Sequence, residues 1–202
     1  MSGSAARRQQ LRVVKVGGSL LDWPPLAPTL ARWLGEQAVA HQVLVAGGGK
    51  LADFVRQADR SHCLGEAAAH WLSIDAMSVT ARLLAALLGD RANRLTSLGE
   101  LQARLAADDM ATVVFDCSLF LRDSEPQASG TALPHTWDVT SDSIAARLAE
   151  FLQADELVLL KSQAPPPQAT LADLAERGYV DRFFPTAAQA IPAVRSVNLR
   201  EC

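Results

Sequence analysis

The chain has 202 residues, 49% of them hydrophobic and 20% charged, and its 19 basic and 22 acidic residues give a formal net charge of −3. This length suits one α/β domain, and the apolar content excludes disordered and fibrous proteins. The near-neutral balance provides no basic surface of the kind that nucleic acids need, so we expect no nucleic-acid partner.

The first half of the chain alternates predicted strands and helices. Residues 1–10 are polar and predicted to be flexible, and we expect a single domain over residues 11–202. The strands are short β-branched runs stopped by glycine, and helices follow from proline in a first turn or from apolar residues at helical spacing. In chain order we predict a strand at 11–16, a helix near 26–40, a strand at 42–46, a helix directly after Gly47-Gly48-Gly49, and a long helix at 67–88.

The long helix is apolar around most of its circumference, but His70, Asp75 and Arg82 interrupt it. A bilayer span needs about 20 nearly uninterrupted apolar residues, so we predict a buried helix of a soluble protein and no membrane partner. A helix of this kind is either central in its own domain or pressed against a partner.

The second half continues the alternation. The predicted elements are a strand at 112–115, a loop at 122–134, a short strand at 135–139, a helix capped by Ser141 and running through Leu152, a strand at 157–160 ending at Lys161, helices at 170–177 and 187–191, and a last strand at 194–199. Such alternation predicts a three-layer αβα sandwich with a mostly parallel central sheet.

Glycines and lysines occupy the predicted strand ends, where sheets of this class bind ligands. Gly17-Gly18-Ser19 and Gly47-Gly48-Gly49 follow the first two strands, and Lys15 and Lys161 end two strands. Glycine lets backbone N–H groups approach an anion closely, and a helix N-terminus adds a favourable dipole. Phosphoryl transfer needs little beyond positioning and positive charge. The structural alternative is that these glycines only make tight turns.

The segment from Trp137 to Ser143 adds polar groups. Asp142 in the first turn of a helix either complements the helix dipole or holds two lysines in register. In the second case Asp138 and Thr140 would face a small-molecule acceptor, and Trp137 would be either core or a wall of the site. The three cysteines have no CxxC spacing, so we expect reduced thiols in a cytoplasmic protein and no bound metal.

These motifs resemble the amino acid kinase family, which includes acetylglutamate, aspartate, uridylate and isopentenyl phosphate kinases. The likeness rests on Val14–Leu20, Val45–Gly49 and Trp137–Ala145, in the family's order. Inside the family, the stretches Gly47–Asp59, His135–Ser143 and Tyr179–Pro185 are similar to the small kinases of methanofuran biosynthesis, which act on a furan phosphate. The resemblance implies an amino acid kinase-like (carbamate kinase-like) fold with a shortened C-terminal half.

The resemblance also implies roles. Lys15 and Asp142 would be a transition-state lysine and its organising aspartate, with Lys161 as a further catalytic residue. ATP would be the donor and would bring Mg²⁺, without a dedicated protein cage for the metal. Phosphate-binding groups would come from Gly17, Gly18, Ser19, Gly47, Gly48 and Gly49, and acceptor-binding groups from Trp137, Asp138, Thr140 and Ser141. Arg56 and Arg60 are either cations for a phosphorylated acceptor or part of a solvated helix face.

Two features keep a second hypothesis open. The family's Thr-Asp-Val-Asp-Gly after the fourth core strand is replaced by Lys-Ser-Gln-Ala-Pro-Pro-Pro at 161–167, and a later Gly-Met-Lys segment is lacking. The first hypothesis is an ATP-dependent small-molecule kinase, and the alternative is a non-catalytic ligand-binding or scaffold member with a degenerate nucleotide pocket. Family members commonly dimerise, so the resemblance implies a homodimer, for which the helix at 67–88 is a candidate interface with Trp71, Met77 and Leu84, unless that helix is core.

Overall fold

Six parallel strands form the middle layer in the computed structural model, which describes residues 9–107 and 109–202. The elements in chain order are β1 Leu11–Val16, α1 Leu26–Glu36, β2 His41–Ala46, α2 Gly49–His62, α3 Glu66–Leu88, β3 Asn93–Leu95, α4 Leu98–Leu105, β4 Thr112–Phe115, α5 Ser141–Phe151, β5 Glu156–Lys161, α6 Leu171–Glu176, α7 Phe184–Ala187 and β6 Val194–Asn198. The strand order is β3-β4-β2-β1-β5-β6. The predicted sandwich is confirmed, with every strand pairing parallel.

The sheet is covered on both faces because successive strand residues point to opposite sides. Val13 and Leu157 pack in the core with α5, whereas Val14 and Val158 pack in the core with α1. The predicted flexible segment 1–10 lies mostly outside the described residues. Of its last residues, Gln10 accepts a hydrogen bond from the backbone N–H of His41 at 2.8 Å.

Two elements were not predicted. β3 is three residues long and its first two side chains are exposed, so it has no apolar run to reveal it. α4 carries its own start signal, a capping box in which Ser97 and Glu100 bind each other's backbone N–H groups. Both lie near the β3 edge of the sheet, where burial constrains the sequence least.

Two predicted elements differ from the structure, one in type and one in position. The strand expected at 135–139 is a turn, closed by a hydrogen bond of 3.2 Å from the N–H of Val139 to the carbonyl of Thr136. The helix expected at 187–191 is instead Phe184–Ala187, which has proline in its first turn. 

The first helix is shorter than predicted, because it ends at Glu36 and not near residue 40. Gln37 is already extended, and its side-chain amide donates to the carbonyl of Trp33 at 2.8 Å, which satisfies one of the carbonyls exposed at the helix end.

α3 serves both core clusters. Ile74 and Met77 pack on the α5 side of the sheet, and Leu84 and Leu88 pack on the α1 side. Met77 and Leu84 are therefore core residues, which is one of the two alternatives that the sequence left open for this helix. By length and composition alone Glu66–Arg91 could also cross a membrane, with 39% of its most apolar window buried in the fold.

Candidate active site

Two lysines reach the same point from neighbouring strands. Lys15 on β1 is in register with Leu159 on β5, so Lys161 lies two residues further along the adjacent strand. Because side chains alternate at a period of two, both lysines share the face that Val13 and Leu159 present to α5. Two ordinary strand ends thus direct two ammonium groups under the first turn of one helix.

Asp142 lies in that first turn and bridges the lysines. Its Oδ1 is 2.9 Å from Lys15 Nζ and its Oδ2 is 2.7 Å from Lys161 Nζ. Lys161 Nζ also donates to the backbone carbonyl of Tyr179 at 2.8 Å. The side chains of Lys15 and Asp142 are each 6% exposed. The structure therefore brings together the three residues that the sequence singled out as catalytic, which we call the charged trio.

The charged trio has an electrostatic asymmetry. Burial works against ionisation of Asp142, yet the two lysines outweigh it and hold the pKa of this carboxyl below its ordinary value. Burial, with the positive charge of Lys15, lowers the pKa of Lys161 to about 8, although Asp142 acts in the opposite direction. At neutral pH the trio carries one net positive charge in a poorly solvated place, where charge stabilises a phosphoryl group most effectively.

The first turn of α5 is held by a residue from the far end of the chain. Asp181 accepts hydrogen bonds from Thr140 N–H at 3.0 Å, Thr140 Oγ1 at 2.8 Å and Ser143 N–H at 3.0 Å, and also from Ser143 Oγ. Burial raises the pKa of Asp181, although the hydrogen bond from Ser143 opposes this. The predicted cap, Ser141, is instead the first helical residue, and Thr140 at the cap position makes no side-chain cap bond.

No local pattern reveals this arrangement, because helix caps are ordinarily sought beside the helix and Asp181 is about 40 positions away. The only sequence signal was that Asp181 falls in the stretch Tyr179–Pro185, which carries part of the family resemblance. Sequence reasoning therefore assigned it no role.

The glycine turns, Gly17-Gly18 after β1 and Gly47-Gly48-Gly49 after β2, contain backbone N–H groups that are hydrogen-bonded and others that are free. The N–H of Gly17 donates to Leu160 O at 2.8 Å and that of Gly47 donates to Val16 O at 2.9 Å. These two N–H groups already serve the backbone, so the structure does not leave them for a phosphate, contrary to the prediction. Among the glycines of these two turns, and within the described part of the chain, the N–H groups of Gly18, Gly48 and Gly49 have no backbone partner.

The two turns touch backbone to backbone. A Cβ added to Gly18 would lie 2.3 Å from the N of Gly49, and Gly49 itself has a φ of +54°. Only glycine fits both conditions. Ser19 is exposed, and its Oγ lies 2.9 Å from Ser162 Oγ, so it joins the loops that follow β1 and β5.

A cavity of about 230 Å³ opens beside the free amides. It is lined by Gly18, Ser19, Gly48 and Gly49, by Ala52, Asp53 and Arg56 of α2, by His70, Ser73, Ile74 and Met77 of α3, and by Thr136, Trp137, Val139, Thr140, Ser141 and Ile144. Three predicted acceptor-binding residues are thus in the lining. Asp138 is not, because its side chain is 56% exposed and lies 3.7 Å from Arg182.

α2 fixes one wall of this cavity through Trp137. The indole N–H donates to Asp59 Oδ2 at 2.8 Å, and the guanidinium of Arg56 lies 4.7 Å from the ring centroid. Arg56 lines the cavity and pairs there with Asp53 at 3.1 Å, whereas Arg60 is absent from the lining and exposed.

The donor groups of the site suit phosphate and not a bare metal ion. Over the described ranges, no three His, Cys, Asp or Glu side chains are grouped to hold a metal. Mg²⁺ commonly binds through phosphates and water with few protein ligands, so the free amides and two lysines fit a nucleotide that carries its own metal.

A model of the amino acid kinase family matches residues 10–164. The chain belongs to the amino acid kinase family. This confirms the resemblance that the glycine and lysine motifs carry.

Two curated relatives have named activities. [5-(Aminomethyl)furan-3-yl]methyl phosphate kinase of Methanocaldococcus jannaschii is 26% identical over 150 residues, which cover 74% of this chain and 64% of the relative. Uridylate kinase of Methanococcoides burtonii is 31% identical over 158 residues, which cover 75% of this chain and 59% of the relative. The match with each thus spans less than two thirds of the relative's length.

The same fold occurs in a solved uridylate kinase. Uridylate kinase of Archaeoglobus fulgidus superposes with a TM-score of 0.59 and 20% identity, covering 95% of this chain and 93% of that one. This confirms the amino acid kinase fold predicted from the motifs.

Proposed function

We propose that this protein is an ATP-dependent small-molecule kinase whose acceptor is a phosphate monoester of the methanofuran-biosynthesis type. The observation that carries the proposal is the charged trio of Lys15, Asp142 and Lys161 at the ends of β1 and β5 and the start of α5, together with the free glycine amides of the turns that follow β1 and β2. The trio itself is not part of the cavity lining. Positive charge held in place before the reaction is what phosphoryl transfer demands of a protein.

The chain's groups divide the work of this reaction. Lys15 and Lys161 stabilise the charge that spreads over the transferring phosphoryl oxygens, and Asp142 keeps both ammonium groups in place. The N–H groups of the glycine turns orient the same phosphoryl group. When bound, Mg²⁺ supplies further charge neutralisation on the nucleotide phosphates.

The cavity supports a small acceptor with a negative charge. Its volume of about 230 Å³ is below the roughly 300–1,000 Å³ that is usual for drug-sized ligands. Arg56 contributes a guanidinium to the lining, in contact with Trp137 and paired with Asp53 at 3.1 Å. The relative named for a furan phosphate provides the specific candidate, [5-(aminomethyl)furan-3-yl]methyl phosphate.

The test is release of ADP and appearance of a diphosphate by ³¹P NMR, with Mg·ATP and either that furan phosphate or UMP. We expect turnover with the furan phosphate and a loss of about 10²–10³-fold in Lys15→Ala. Lys50→Ala is the matched control, because Lys50 follows the glycine turn but is 83% exposed and pairs with Asp22. Ligand-induced stabilisation without ADP release would favour the alternative, a non-catalytic ligand-binding member.

We further propose a homodimer formed by the exposed face of α3. Leu72, Val79, Leu83 and Leu87 are 46%, 52%, 44% and 40% exposed at helical spacing. In an antiparallel pair centred near Val79, Arg82 of each copy would face Asp75 of the other, which pairs with Arg122 of its own chain at 2.7 Å. Light scattering should give twice the chain mass, and Leu83→Glu should give one chain mass; one mass for the unmodified protein would refute the dimer.

We propose a cytoplasmic location as well. Cys63 and Cys202 are exposed free thiols and Cys117 is a buried one, and such thiols are typical of a reducing compartment. Fractionation of the native host with antibodies against the chain would test this.

A further inference from the structure

His70 is a buried polar side chain that the catalytic proposal does not use. It is 5% exposed and lies in the lining of the acceptor cavity. Its ring stacks on His135 with centroids 4.9 Å apart and meets Trp71 edge-on at 5.3 Å. Across the described part of the chain, it makes no hydrogen bond and no ion pair. Packing therefore holds the ring in the cavity wall, and its nitrogens have no protein partner among the described residues.

The chemical character of His70 is set by its surroundings. Burial, with a smaller effect from His135, lowers the pKa of His70 to about 4. The imidazole is neutral at pH 7, with one nitrogen that accepts a hydrogen bond and one that donates.

Ser73 stands one helical turn further along α3 and lines the same cavity. Its hydroxyl donates to the carbonyl of Ala69 at 2.9 Å, which commits its only proton. Toward the cavity Ser73 can therefore only accept a hydrogen bond.

We infer that His70 and Ser73 form a subsite of the acceptor cavity that binds an N–H or O–H substituent of the acceptor, such as an amine or a hydroxyl. The subsite offers two acceptors and a single donor, so it suits a donor group and disfavours a carboxylate or phosphate. The groups that favour an anion are the free glycine amides of the turns and Arg56 of α2, whose charge is shared with Asp53 in the same lining. The cavity is thus polarised between its α3 wall and its phosphate-binding groups. The identity of the acceptor skeleton rests on the proposed function.

The first experiment compares three furan-3-ylmethyl phosphates that carry aminomethyl, hydroxymethyl or methyl at C5, titrated calorimetrically. The unmodified protein should bind the first two about ten- to a hundredfold more tightly than the methyl compound, because the latter leaves buried polar groups unpaired. His70→Leu should lose most of this discrimination, Ser73→Ala part of it, and His70→Gln, which keeps a hydrogen-bonding group, should retain it. His62→Leu removes an exposed imidazole at the end of α2 and should change nothing.

A second measurement makes the subsite testable without a phosphate. Furfurylamine, furfuryl alcohol and 2-methylfuran are added to protein with ¹³C-labelled histidine. The first two should shift the His70 resonance saturably and leave that of His62 unmoved. The subsite would be overturned if His70→Leu and the unmodified protein discriminated equally among the three furan phosphates. It would also be overturned if the His70 resonance shifted with none of the three simple furans, or equally with all three. Failure of phosphoryl transfer with an intact His70 response would refute the proposed function alone.

Discussion

Replacing Asp181 by alanine tests whether the C-terminal part of the chain holds the charged trio together. The carboxylate accepts hydrogen bonds from the N–H and hydroxyl groups of Thr140 and Ser143, and Ser143 is completely buried. The substitution leaves these donors in the protein without a partner, at the point where α5 begins.

The expected cost follows from these contacts. Loss of a helix cap costs about 0.5–2 kcal/mol, and each buried donor left unpaired costs about 1–3 kcal/mol. Because the capping bonds and the buried donors are partly the same groups, we expect Asp181→Ala to lower the free energy of unfolding by about 2–4 kcal/mol. Asp181→Asn should cost only about 1 kcal/mol, the value of the charge near a helix N-terminus. Its amide oxygen can still accept from the N–H groups, and its NH₂ can donate to Ser143 Oγ.

The assay is urea unfolding at pH 7, with Asp138→Ala as the control. Asp138 lies in the same segment, but its side chain is 56% exposed and its contact with Arg182 is long, at 3.7 Å. Asp138→Ala should therefore change the free energy of unfolding by less than about 0.5 kcal/mol. In the kinase assay, Asp181→Ala should lower kcat more than it changes KM, because Asp142 loses its position. Equal midpoints for Asp181→Ala and the unmodified protein, or equal losses for alanine and asparagine, would refute the capping argument.

Three further outcomes are expected. kcat at saturating substrate should fall as the pH rises through about 8, because Lys161 then loses the proton that makes it a cation; a profile flat from pH 7 to 9.5 would contradict this. Gly18→Ala should abolish ADP-induced thermal stabilisation, because its Cβ would lie 2.3 Å from the backbone N of Gly49. Gly99→Ala should retain this stabilisation, because nothing lies within 4 Å of the added Cβ. Arg147→Met should cost about 3–5 kcal/mol in urea unfolding, because the buried Glu125 loses its ion pair; a loss below 1 kcal/mol would argue against that pair.

The sequence was informative where chemistry and strand pattern coincide. Lys15 and Lys161 end apolar runs, so the periodicity that buries the strands also places both ammonium groups on one face of the sheet. The sequence was uninformative where a role depends on distant packing. His70 is one polar residue in an apolar helix, and only the fold shows that it meets a cavity and not the core. Asp181 is similarly invisible, because the helix whose first turn it binds, α5, begins about 40 positions earlier in the chain.

The segment that follows the altered loop at 161–167 links these observations. Tyr179 offers its carbonyl to Lys161, Asp181 holds the first turn of α5, and the N–H of Phe183 donates to the carbonyl of Asp138 at 3.1 Å. One short stretch therefore supports a lysine of the trio, the helix that carries its aspartate and the turn beside the acceptor cavity. A displacement of this stretch would disturb all three at once. The geometry of the charged trio is thus a property of C-terminal packing as much as of the strand ends, and changes in the 161–167 loop are expected to act on catalysis through this stretch.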